Sequence, residues 1–225
     1  MRIAINKAHF PVTVLGPGRR IGIWVQGCSI HCKGCVSQDT WAPDPSRETT
    51  VPKLLAWCRK ISGGAFDGIT ISGGEPFDQP KALGVLLDGF IRWRADQAGA
   101  AVTGGADFDL LCYSGYPLAT LQKRHAALLD KLDAIIPEPF VETLPLDRLW
   151  RGSSNQALVP LSARGRARYG QYVDAPADTF GKRIQAGIDG DRVWFVGIPA
   201  RGDMAALEAK CAERGIELKS VSWRH

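Results

Sequence analysis

Three cysteines fall within the eight residues Cys28 to Cys35 of VQGCSIHCKGCVSQDTW, the stretch from Val25 to Trp41. Thiolates at this density are soft metal ligands. A closed structural site takes four ligands, and a zinc site usually shows a second Cys pair or a downstream His pair. Neither occurs here. His31 adjoins Cys32, and neighbours on a tight loop rarely both reach one metal. Three thiolates can instead hold three irons of a [4Fe–4S] cube and leave the fourth iron open. An open iron binds a small chelating molecule, so the missing ligand is expected to be a substrate or cosubstrate. The competing reading is a zinc-stabilised module that holds nucleic acid on its basic surface. That reading needs a fourth protein ligand.

The elements that must position this loop are legible from periodicity. IGIWVQ, ahead of the cysteines, reads as a buried strand. TTVPKLLAWCRKIS has a Thr cap, an early Pro and apolar residues at helical spacing. FDGITISGGEP is a strand running into a Gly-rich turn. QPKALGVLLDGFIRWRADQAG is a helix stopped near Gly99, and AAVTGGAD is a connector. FDLLCYSGY is a third strand and turn, PLATLQKRHAALLDKL a helix, and DAIIPEPF a short strand. Strands separated by helices predict a parallel sheet with right-handed crossovers, whose chemistry gathers at the C-terminal strand ends. The cysteine loop, SGGEP and YSGY all follow strands and so share one edge.

After Gln156 the sequence turns polar and Gly/Pro-punctuated. DRVWFVGIP, RGDMAALEAKCAERG and IELKSVSW then predict one further β-α-β unit. The expected organisation is a domain over residues 1–156 and an appendage over 157–225. Arg164, Arg166 and Arg168, spaced by two, would share one face of an extended strand, as a docking stripe or a charge-guarded edge.

The formal net charge of +5 over 225 residues, without a long basic run, reads as a solvated surface and makes a nucleic-acid partner unexpected. No apolar run approaches a membrane span, and the N-terminus lacks a signal-peptide pattern, so no membrane partner and a cytoplasmic location are expected. Six cysteines in a chain of this size do not resemble a secreted disulfide framework. Cys58, Cys112 and Cys211 are expected to be small buried hydrophobes.

The spacing C-x3-C-x2-C, followed by a strand and GGEP, resembles the radical S-adenosylmethionine superfamily. GPGRR, C-x3-C-x2-C-x4-TW, ISGGEPFDQP, YSGY and LWRGSSNQ together resemble the glycyl-radical enzyme activases of anaerobic ribonucleotide reductase, over about residues 1–156. The resemblance implies a partial (β/α)6-type barrel. It makes Cys28, Cys32 and Cys35 ligands of a [4Fe–4S] cluster whose open iron chelates S-adenosylmethionine. It makes Gly73, Gly74 and Glu75 contacts of that cosubstrate, in the family's GGEP motif. It implies reductive cleavage of the cosubstrate, an electron from a flavodoxin- or ferredoxin-type donor, and hydrogen-atom abstraction from a glycine of a partner glycyl-radical enzyme.

Some residues keep two readings. Ser114 bonds the cosubstrate, or Ser114 and Tyr113 merely cap and pack a strand end. Trp41 is a lid over the loop. His31 is solvated, or hydrogen-bonds near the cluster. The turn from Arg151 to Ser154 is an anion nest, or it closes the barrel edge. Gly34 replaces the aromatic residue common before the third cysteine, and PEPF, with Glu138, stands where an acidic DGPF is common. The C-terminal appendage leaves a small molecule or peptide as the alternative target.

Overall fold

The computed structural model describes residues 1–63, 65–99, 107–189, 192–218 and 221–223. The connector AAVTGGAD lies, apart from Asp107, outside them. In chain order the elements are β1 (Arg2–Val12), β2 (Arg20–Val25), β3 (Glu48–Thr50), α1 (Val51–Ser62), β4 (Gly68–Gly73), α2 (Pro80–Gly99), β5 (Asp109–Tyr113), α3 (Leu118–Leu129), β6 (Ala134–Ile136), β7 (Val159–Pro160), α4 (Ala163–Tyr169), β8 (Ile184–Asp189), β9 (Arg192–Gly197) and α5 (Asp203–Glu213). Seven strands form one sheet in the order β3-β1-β2-β4-β5-β6-β7. Its centre, β2-β4-β5-β6, is parallel, and its flanks pair antiparallel. The protein is therefore mixed α/β with a mostly parallel central sheet.

Alternation along the strands sorts the two faces. Ile23, Ile71, Cys112 and Ile135 turn to one side, where Leu54 and Cys58 of α1, Leu86 and Phe90 of α2 and Leu121 of α3 close the core. α1 begins where expected: the Thr50 hydroxyl accepts from the Lys53 N–H at 3.4 Å, and Gly63, at φ 58°, ends it.

On the other face lies a buried polar floor. Arg20 is fully buried and forks onto Asp109, with Nη2 to Oδ1 at 2.6 Å and Nη1 to Oδ2 at 3.1 Å. Its Nε donates to Thr70 Oγ1 at 2.6 Å, and its remaining donors reach the carbonyls of Pro17 and Ile69. The Tyr169 hydroxyl donates to Asp109. Gly68 stands beside Arg20 because a Cβ there would lie 2.2 Å from Nη1. The GPGRR turn thus delivers an arginine that plugs the floor of the sheet's second face. Desolvation is the largest influence and works against the Arg20 charge, but its polar neighbours, Asp109 first among them, together outweigh it and hold the guanidinium ionised.

Two expectations are corrected, and one strand is new. Residues 2–12, given no assignment from sequence, form the antiparallel strand β1. The arginine stripe is helical: Ser162 Oγ accepts from Gly165 N–H at 2.9 Å and starts α4, whose Gly165 permits contact with the Asp133 carbonyl. Arg164 and Arg168 pair with Asp107, and Arg168 also reaches Asp109, so they staple α4 to the sheet. Last, the C-terminal unit is an antiparallel hairpin, β8-β9, followed by α5, and not β-α-β. IQAGID before the Asp189-Gly190 dipeptide is a hairpin signal, whereas the described part of IELKSVSW contains no strand.

Of the isolated cysteines, Cys58 and Cys112 are buried in the core, and Cys211 on α5 is only partly buried.

Candidate active site

The cysteine loop leaves β2 at Gly27, whose φ of 95° suits glycine. Two hydrogen bonds close its base, Gly27 N–H to Thr40 O at 2.7 Å and Cys28 N–H to Trp41 O at 3.0 Å. Within it, Cys35 N–H donates to Cys32 O at 3.1 Å, and Gly34, at φ 76°, makes the turn. A Cβ at Gly34 would also stand 2.9 Å from the Glu142 carboxyl carbon. His31 is exposed, as its solvated reading expects; its ring stacks on Trp41 with centroids 4.9 Å apart, and its backbone N–H reaches the Cys28 sulfur.

Cys28, Cys32 and Cys35 line one cavity of about 930 Å³ together with Gly73, Gly74, Glu75 and Ser114. The structure thus brings together every site residue read from the sequence. Burial pushes all three thiols above their ordinary pKa. Backbone N–H groups oppose that shift: Ile30 and His31 at Cys28, Phe140 at Cys32 and Ser37 at Cys35, where Trp41 also hydrogen-bonds the sulfur. The charges acting on the thiols are anionic, from Glu75, Asp78 and one another. Such a donor set ionises against a cationic centre and is supplied with the N–H donors that thiolate sulfurs accept. Among the described residues no group of three or more His, Cys, Asp and Glu converges on a single metal ion. A cube fits this arrangement, because its thiolates sit on separate irons.

The GGEP strip is held by close backbone approach. Gly73 has φ 98°, and a Cβ on Gly74 would lie 2.0 Å from the Gly27 carbonyl oxygen. Glu75 N–H donates to that same carbonyl at 2.8 Å. The Glu75 carboxylate, buried, accepts from Phe77 N–H at 2.9 Å, Ser114 Oγ at 2.9 Å and Gly115 N–H at 2.7 Å. Burial nevertheless pushes its pKa up to about 7. Here Glu75 and Ser114 bind each other across the ends of β4 and β5, while both still line the cavity.

Some contributors were not singled out from sequence. Asp78 accepts from Ser29 N–H at 2.8 Å, from Ser29 Oγ at 3.0 Å and from Tyr116 OH at 2.8 Å, so it ties the cysteine loop to the β4 and β5 loops. These bonds are exposed, so each contributes modestly, about 0.5–1.5 kcal/mol. Asp78→Ala is expected to leave folding intact and to speed loss of bound iron several-fold, read by chelator-trapped iron. The signal was a carboxylate just after GGEP and a tyrosine closing YSGY.

The turn after Trp150 is a staple. Arg151 is buried and donates to the Leu149, Tyr172 and Val173 carbonyls. Gln156 Nε2 donates to Glu138 O, Asn155 Nδ2 to Pro139 O, and Ser153 Oγ accepts from Val141 N–H. This fixes the segment from which Phe140 N–H reaches Cys32. In this turn the Arg151 guanidinium is spent on carbonyls and the Gly152 N–H on Gln156 Oε1 at 2.9 Å, so its groups brace the chain itself.

The C-terminal unit supplies the cavity's far wall. Arg183, the segment Gly197–Gly202, Met204 and Trp223 line it. The unit is seated by Val196 packing with Val12, Val14 and Trp24, and by His9 stacking on Trp194 at 4.6 Å.

A sheet whose strand ends gather three thiols and a GGEP strip around one cavity defines a radical S-adenosylmethionine enzyme with a [4Fe–4S] cluster. The family model for the 4Fe-4S single cluster domain matches residues 14–159. The anaerobic ribonucleoside-triphosphate reductase-activating protein of Vibrio cholerae is 32% identical over 155 residues, covering 67% of this chain and 94% of that protein. The proteins of the same name from Escherichia coli K12 and phage T4 are 29% and 27% identical, over 94% and 86% of their lengths. The chain belongs to the 4Fe-4S single cluster domain family and, within it, to the family of these activating proteins. The crystal structure of QueE from Escherichia coli aligns over 97% of this chain and 93% of its own at 14% identity, with a TM-score of 0.40. No helix among the described residues is long and apolar enough to cross a membrane.

Proposed function

We propose that this chain activates a glycyl-radical enzyme, an anaerobic ribonucleotide reductase, by abstracting a hydrogen atom from a glycine Cα of that partner. The observation that carries the reading is the convergence of Cys28, Cys32 and Cys35 with Gly73–Glu75 on one cavity, in a chain of the activating-protein family. When bound, the cluster and S-adenosylmethionine supply one-electron cleavage of the sulfonium and the hydrogen abstraction that follows. The chain's own residues bind and enclose. Cys28, Cys32 and Cys35 hold the cluster, and the N–H donors on their sulfurs tune its potential. Gly73 and Gly74 let backbone approach the cosubstrate, and Glu75, with Ser114, presents an acceptor for its amine. Trp41 and the C-terminal wall exclude water and oxygen. A flavodoxin- or ferredoxin-type protein in the cytoplasm delivers the electron.

In this reading the central sheet is a partial (β/α)6-type barrel. Residues 1–156 carry the chemistry, and 157–225 complete the sheet edge and meet the partner. An anoxic pull-down with the candidate reductase, followed by electron paramagnetic resonance, tests it. A glycyl radical that appears only with S-adenosylmethionine and reductant is the expected outcome, and cosubstrate cleavage without any such radical contradicts it. The C-terminal wall favours a second reading, a small molecule or short peptide as target, and product analysis in cell extract separates the two.

A further inference from the structure

The end of the chain, well beyond the family match, returns to the cluster loop. Ser222 O accepts from Gln38 N–H at 2.8 Å and from Asp39 N–H at 3.3 Å, and Ser222 Oγ donates to Val36 O at 3.1 Å. The loop segment so gripped begins directly after Cys35, and its Ser37 N–H and Trp41 are the groups that hydrogen-bond the Cys35 sulfur. The next residue, Trp223, lines the cavity itself, with its indole N–H on Glu208 of α5 and its ring edge-on to Phe195 of β9. The rest of the chain holds the loop at its base, at Ser29 through Asp78 and at Asp39 through Lys7, Asn6 and Gln26, and Ser222 adds a hold next to Cys35.

We propose that Ser222 is a positioning residue for the cluster: with Trp223 as its anchor, it holds Val36–Asp39 in place and shields Cys35 and the cavity from solvent. The inference rests on the cluster reading above, but it also makes a claim about the metal-free protein. This three-bond grip on loop backbone adds to the anchors that Lys7, Asn6 and Gln26 place on Asp39, and it reaches back to Val36, beside Cys35, so its loss loosens Cys35 first.

The test compares the full chain with a chain ending at Val221, with Trp223→Ala, and with Ser222→Ala and Ser222→Thr. In the metal-free proteins, alkylation of Cys28, Cys32 and Cys35 is followed by mass spectrometry. Cys211, partly buried on α5, is the internal control for general loosening of the C-terminal unit. In the anoxically loaded proteins, iron release to a ferrous chelator is followed. The shortened chain is expected to show about tenfold faster alkylation of Cys35 and faster iron release, as the loss of the three Ser222 hydrogen bonds implies. Cys211 should be unchanged, Ser222→Ala intermediate, and Ser222→Thr close to the full chain. Equal Cys35 alkylation in all variants overturns the proposal, as does a parallel rise at Cys211. Should the shortened chain not fold, the three single substitutions decide. A full chain that takes up no cluster defeats the proposed function, while the alkylation arm still judges the tail.

Discussion

Replacing any one of Cys28, Cys32 or Cys35 with Ala is expected to abolish reductive cleavage of S-adenosylmethionine. In the proposed reading three thiolates are the whole protein contribution to the cluster. The remaining two thiols would hold a cube at two corners only. Reconstituted variants should contain well under the about four irons per chain that one cube requires. Cys58→Ala and Cys112→Ala touch only the core, and Cys211→Ala only α5, so each should retain the cluster. The measurement is iron and sulfide content, with product chromatography after dithionite reduction. A Cys35→Ala protein that still cleaves the cosubstrate would overturn the ligand assignment.

The second large effect is on stability. Asp109→Asn leaves the fully buried Arg20 without its anionic partner, while its hydrogen-bond donors to Thr70, Pro17 and Ile69 remain. An uncompensated buried charge costs about 3–5 kcal/mol, a large share of the roughly 5–15 kcal/mol that holds a domain together. Arg20→Lys should also destabilise, because an ammonium cannot reproduce the fork onto both carboxylate oxygens. Replacing both partners with apolar residues of similar size, Arg20→Met with Asp109→Leu, should recover much of the loss. Urea midpoints of the metal-free proteins check this. A midpoint for Asp109→Asn within error of the parent would remove the polar floor from the account.

The fold's centre was legible because four buried strands and three helices kept their own periods. Ile21–Val25, Ile69–Ile71 and Leu110–Cys112 read as apolar runs bounded by turn residues, and Thr50 and Gly63 marked the ends of α1. The edges were less so. β1 carries no clean alternation, being half-exposed and bulged twice against β2. The arginines of α4 suggested a strand by their spacing of two, yet the Ser162 cap and long-range pairing with Asp107 and Asp109 decide for a helix.

At the site, the ligands and GGEP were visible because their chemistry demands particular residue types at fixed spacing. What stayed hidden was tertiary. Glu75 and Ser114 spend hydrogen bonds on each other. WRGSSNQ fixes the segment whose Phe140 N–H reaches Cys32. The cavity wall comes from Gly197–Gly202 and Trp223, which no motif marks.

The central claim is that the protein fills three corners of a cube and leaves the last to the cosubstrate. Mössbauer spectroscopy of the protein loaded with iron-57, with and without S-adenosylmethionine, tests it most directly. The prediction is one [4Fe–4S] cluster per chain in which a single iron shifts on addition of the cosubstrate. Four irons indifferent to the cosubstrate, or a colourless protein with one tightly held zinc, would contradict it.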